Sequence, residues 1–384
     1  MVPRNRDEQH RASTPLELLF DLCFVVGVSQ TAGRLHHALA EDHIAHGVAY
    51  YLMVFFAIWW AWVNFTWFAS AYDNDDVQYR LTTMVQITGA LILAAGVPRA
   101  FDREDFTVVV IGYVVMRLAL VTQWLRVAAN DRERRVTALR FATGIAVVQA
   151  GWIFRLWLPH DWGLPSFLAL VICELLVPIW AEHAASTTWH RSHIAERYGL
   201  FTLIVVGEAI LASTTAIQIG FDVGGHRAGL LGLSAAALVM VFAMWWLYFD
   251  RDAEEVLTTA QSAFFFGYFH YFVFASAAAV GAGIALNADA IMHATELSGR
   301  GAAWAIAVPV AVYVLSVWLV HRVPVDGLPR SLAFPVAATL ILLAPLGKRP
   351  LLLIPAILVI LVVVTSRHWP PTRPKRVEAA AQSG

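Results

Sequence analysis

Residues 17–25 read ELLFDLCFV. Seven of the nine are apolar, yet Glu17 and Asp21 sit among them four residues apart. On a helix that spacing puts both carboxylates on one face. What such a face can touch depends on the solvent around the helix, and composition decides that. Apolar residues make up 59% of the 384, charged residues 14%, and mean hydropathy is +0.61. A typical soluble domain carries about 25% charged residues. This chain lacks the polar surface to face water, so lipid is the solvent for most of it.

A membrane helix needs ~20 mostly apolar residues. Twelve segments qualify: 15–38, 46–68, 80–98, 106–127, 137–158, 164–184, 198–219, 228–249, 262–286, 302–320, 330–346 and 351–366. The last two are short and carry Pro335, Pro345 and Pro355, which break or kink helices, so the count runs from ten to twelve. The fold expected is an all-α polytopic transmembrane bundle. Its division is a tail at 1–14, six-helix halves at 15–190 and 191–366, and a tail at 367–384, both tails disordered.

Of the 27 Lys and Arg, eighteen fall on the side of the N-terminus, eight on the other, and Arg117 within a helix. Positive loops face the cytoplasm, so both termini are expected there, in the plasma membrane. The halves also echo each other. FAIWWAW at 56–62 matches FAMWWLY at 242–248, and FVVGVSQ at 24–30 matches LIVVGEAI at 203–210. That reads as a 6+6 parallel repeat of the kind some transporters use.

Charged groups inside spans are costly, ~2.5–3.5 kcal/mol even on a lenient scale, and belong in a protected interior. Asp21, Arg117, Glu174 and Glu208 meet that description. Arg stays protonated, so Arg117 is expected to pair with Glu174 or Glu208, leaving the other acid able to take up a proton. His270, in GYFHYF, reads as a core histidine or a relay. Glu17 is shallow. Asp250 follows WWLYF at a helix end and reads as a solvated terminus. Gln30, Gln86 and Gln123 read as interhelical glue. Trp59, Trp60, Trp62, Trp67 and Phe68 read as an interfacial belt. Cys23 and Cys173 read as core thiols.

His36, His37, His43 and His46 offer metal-binding side chains, but their spacing matches no metal motif, so no metal is expected. Nucleotide, zinc-protease and hydrolase motifs are absent, and no cofactor is expected. Net charge of −1 argues against nucleic acid. Membrane lipids and an unidentified small molecule or ion are the partners expected.

The motifs E17-L-L-F-D21-L-C-F-V and E196-R197-Y-G-L-F-T-L-I-V-V-G-E208 resemble those of the low temperature requirement A (LtrA) family, as do FGYFH at 266–270 and WWLYFD at 245–250. The resemblance covers about 15–366, with Val206 where the family tends to have Leu. It implies a multi-pass bacterial inner-membrane protein in which Glu17, Asp21, Glu196, Arg197, Glu208, Asp250 and His270 share a site or scaffold. It names no ligand. The reading preferred is a secondary transporter, proton-coupled, with Asp21, Glu174, Glu208, Arg117 and His270 around one central polar site. A membrane-embedded enzyme acting on lipid or isoprenoid substrates, and a non-catalytic scaffold or sensor, stay open.

Overall fold

The computed structural model describes residues 1–5, 11–222, 226–328 and 331–366. The second tail, 367–384, lies outside the described residues, as do Arg6 and Arg330. All regular structure among the described residues is helical. The helices are α1 (Pro15–Ala40), α2 (Ile44–Tyr72), α3 (Val77–Arg103), α4 (Thr107–Asn130), α5 (Arg135–Arg155), α6 (Gly163–Glu182), α7 (Arg191–Asp222), α8 (Arg227–Phe249), α9 (Ala260–Ile291), α10 (Gly299–Val317), α11 (Ala333–Leu343) and α12 (Pro350–Ser366). Helix α10 runs on through a π-turn, Trp318–Arg322.

Among the described residues, ten helices are long and apolar enough to cross a membrane; α11 and α12 are shorter apolar helices. Pro355 lies inside α12, and Pro345 sits in the 3-10 turn that ends α11, as expected where proline removes a backbone donor. Trp246 at the end of α8 donates to Ser366 at 3.2 Å. This places the end of α12 on the face where α1 begins, the terminal face.

Helix α1 starts with a reciprocal cap. Thr14 accepts from the Glu17 amide, and Glu17 accepts from the Thr14 amide at 2.7 Å. Before it, the described residues 1–5 and 11–14 make fixed contacts, contrary to the expected loose tail. Val2 and Asn74 exchange two hydrogen bonds of 2.9 Å, and the Arg4 amide donates to Ala71. The Arg11 guanidinium caps the carbonyls of Ala69 and Ser70. The last carbonyls of α2 need such donors, and that need holds the segment down.

Helix α1 is central. It packs on α2, α3, α7 and α9. Helix α3 packs on α4, α4 on α5, and α5 on α6; the same order of neighbours recurs as α9 on α10, α10 on α11, and α11 on α12. The α3–α4 and α9–α10 seams are both backbone-close. A Cβ at Gly112 would stand 2.3 Å from the Leu93 nitrogen, and one at Gly283 2.3 Å from the Ala305 carbonyl oxygen. Small residues permit this approach where lipid gives no hydrophobic drive to association.

Two expectations change. Trp59, Trp60 and Trp62 form no belt; all three are buried, and Trp60 and Trp62 donate to carboxylates inside the bundle. A buried indole seeks an acceptor, and membrane acids supply it for Trp60 and Trp62, while the Trp59 N–H has no hydrogen-bond partner among the described residues. Cys23, on α1, is only partly covered, and Cys173 is exposed, because α6 is the least enclosed of the ten long helices and turns its apolar side outward.

Candidate functional site

The first polar centre lies at the start of α1. Glu17 and Asp21 do share a face, and it turns toward α7. Arg197 grips Asp21 through Nε at 3.0 Å and Nη2 at 2.6 Å. Its Nη1 stands 3.1 Å from Glu17 Oε1. Trp62 donates to Asp21 Oδ1 at 2.7 Å. His193, one turn before Arg197, stands 3.0 Å from Glu17 Oε1. Arg11 approaches both Glu17 and Asp73, at 3.8 and 3.9 Å. All these groups are buried. Burial, followed by the charge of Glu17, pushes the carboxyl of Asp73, just beyond the end of α2, up to about 6. Glu196 faces away from the pair and accepts from the Ser13 amide at 3.3 Å. This centre ties α1, α2 and α7 together. Two acids against one bidentate Arg make a fixed joint.

The second centre surrounds Glu174 on α6. Five donors converge on its carboxylate: Trp60 at 2.9 Å, Arg117 at 2.8 Å, Tyr113 at 2.8 Å, Gln149 at 2.9 Å and Trp152 at 3.2 Å. Arg117 therefore pairs with Glu174 and not with Glu208. Two of its nitrogens, Nε and Nη1, have no hydrogen-bond partner among the described residues. Tyr113, Gln149 and Trp152 were not singled out from the sequence; a glutamine within an apolar helix, Gln149, was the one signal available. A carboxylate held by five donors is locked as an acceptor.

His270 sits in a third place, on α9. Its Nδ1 donates to the Phe266 carbonyl at 2.7 Å, and Tyr248 lies 2.9 Å from Nε2. The carbonyl can only accept, so Nδ1 carries the proton and Tyr248 donates to Nε2. His321, in the π-turn after α10, lies with its ring centroid 5.7 Å away. Asp250 is no solvated terminus: it is ion-paired with the buried Arg322.

Glu208 stands in a fourth place. It is half-buried on α7, within reach of Ser29 on α1, and makes no ion pair among the described residues. Helices α1 and α7 touch through Asp21 and Arg197 near the terminal face. Farther along, a polar groove lined by Ser29, Gln30, Gly33, Arg34, His36 and His37 opens toward the other face. Nothing packs within 4 Å of where a Cβ would stand at Gly33 or Gly207, so this region is open.

The expected single central site is thus divided. No hydrogen bond or ion pair among the described residues joins Asp21, the Arg117–Glu174 pair, His270 and Glu208. The four histidines also separate: His36 contacts Asp289 at 2.6 Å, His37 and His43 contact Glu41, and His46 contacts Glu104.

Residues 12–366 match the family model described as bacterial low temperature requirement A protein (LtrA). An uncharacterized protein of Rhizobium meliloti (strain 1021) is 27% identical over 291 residues, which is 69% of this chain and 67% of that protein. No solved structure matches.

Proposed function

The chain belongs to the bacterial low temperature requirement A protein family, and from that premise we propose that it is a secondary transporter, coupled to protons, with Glu208 as the group that loads and releases them. The observation that carries the reading is the state of the acids. Glu17, Asp21 and Glu174 are enclosed and bound to Arg or a ring of donors. Glu208 alone of these membrane acids is half-open, without a cation, beside a polar groove. An uncompensated carboxylate at membrane depth is the kind of group through which transporters handle protons.

Its position supports the same reading. Glu208 and Ser29 lie on α7 and α1, the first helix of each half. Gly27 and Gly207 occupy equivalent places in the two matching stretches. In repeat-built transporters the coupling site lies where the copies meet. We read the recurring order of helix neighbours as two copies of one six-helix unit, oriented with both termini in the cytoplasm of the bacterial inner membrane.

The test is solute-driven proton flux in vesicles carrying the purified protein and a trapped pH dye, run across a panel of metabolites. Glu208→Gln should abolish the coupled proton movement. Full coupled flux in that variant overturns the assignment.

A further inference from the structure

A cleft opens on the terminal face, between α2, α4, α5 and α6 on one side and α9 on the other. Eight of its sixteen lining residues are aromatic, including Trp60, Trp67, Trp124, Trp189, Phe264 and Tyr268. The one charged side chain on the wall is Glu182, and no Lys, Arg or His lines it among the described residues. We propose that this cleft binds an organic cation, a quaternary ammonium, phosphonium or protonated amine with apolar substituents.

Three features of the wall select the sign of charge. First, ring faces are electron-rich and attract cations, Trp most strongly. Trp60 forms the floor, edge-on to Tyr268 at 5.4 Å, and its N–H donates to the Glu174 carboxylate. That hydrogen bond pushes electron density into the indole. Second, three donors on the wall that could greet an anion are already used. Trp67 donates to the Tyr198 hydroxyl at 3.0 Å, Tyr268 to the Leu175 carbonyl at 2.8 Å, and the Asn64 amide to the Trp60 carbonyl at 2.8 Å. Third, the Thr187 amide and hydroxyl hold the Glu182 carboxylate at 3.0 and 2.7 Å, which fixes a negative group at the mouth. An anion here would meet ring faces and a carboxylate. A neutral apolar molecule would gain nothing over lipid, which is just as apolar.

The ligand class refines the transport reading and rests on it only for the steps after binding. Binding is measured alone, on the full-length protein in detergent micelles, by titration calorimetry against empty micelles. The probes are tetraphenylphosphonium and tetraphenylborate, equal in shape and opposite in charge. Saturable binding of the phosphonium is expected, with the borate at least tenfold weaker. Glu182→Gln and Phe264→Leu should each weaken phosphonium binding about fivefold, and either variant decides if the other does not fold. Equal affinity for the two probes, no saturable phosphonium binding, or wild-type affinity in the folded variants overturns the assignment. A protein that binds the cation and moves no solute overturns the transport reading instead.

Discussion

Arg197 and Asp21 lie 176 residues apart in the chain and meet in a two-point contact of 3.0 and 2.6 Å inside the bundle. The contact joins the two acidic motifs, on α1 and α7. It ties the helix starts of α1 and α7 together. The paired acids Glu17 and Asp21 thus lie near the starts of this helix pair, and the open Glu208 lies near the middle of α7.

Removing the shared cation should be severe. Arg197→Gln leaves Glu17 and Asp21 buried with no full positive charge between them, and losing one partner of a buried pair costs about 3–5 kcal/mol. Arg197→Lys should fall between, because one ammonium cannot reproduce three directed contacts. Chemical or thermal unfolding in detergent measures both. A loss under about 1 kcal/mol in Arg197→Gln would contradict the joint described.

Glu174 and Glu208 should separate stability from function. Glu174→Gln leaves one carbonyl for five donors and strands Arg117, so a loss of about 3–5 kcal/mol is expected. Adding Arg117→Met should restore part of it, since the two residues form one network. Glu208→Gln, at a half-open site, should stay within about 1 kcal/mol of wild type. Unfolding curves that rank the two variants the other way would refute the contrast.

The backbone-close seam makes a steric prediction. Gly112→Ala drives a methyl into the backbone of Leu93 and Gly89. The helices must part, at a cost of about 1–3 kcal/mol or more. Gly232→Ala meets nothing within 4 Å and, in the interior of α8, should be neutral or mildly stabilising. Equal melting temperatures for the two variants would rule out the close seam.

Asp73 should make stability depend on pH. Its folded carboxyl, at about 6, holds a proton more tightly than the unfolded one, near 3.9. Its contribution is therefore complete below about 3.9 and is lost as pH rises to about 6. The difference between pH 4 and pH 7.5 is at most about 3 kcal/mol. Asp73→Asn keeps the acceptor for the Asp75 amide, 3.1 Å away, and removes the titration. Its melting temperature should fall less than that of wild type over the same range. Parallel pH profiles would exclude Asp73 as the source.

The sequence by itself determined the solvent, the class of fold and the cost of each buried charge. Hydropathy averaged over about twenty residues is insensitive to which side of a helix faces in, so ten long apolar helices and two short ones could be read from the chain alone. The spacing of Glu17 and Asp21 likewise dictated a shared face, because helical periodicity is local. The tertiary structure decided partners. Arg197 reaches Asp21, Trp60 and Arg117 reach Glu174, and Tyr248 reaches His270 through the rotation of each helix about its axis and its crossing with others. Side-chain packing over long sequence separations sets those angles, and no window of local sequence encodes them. For the same reason Trp60 and Trp62 passed for part of an interfacial belt: lipid headgroups and buried carboxylates both offer an indole the acceptor it needs, and only the assembled bundle shows which one they found.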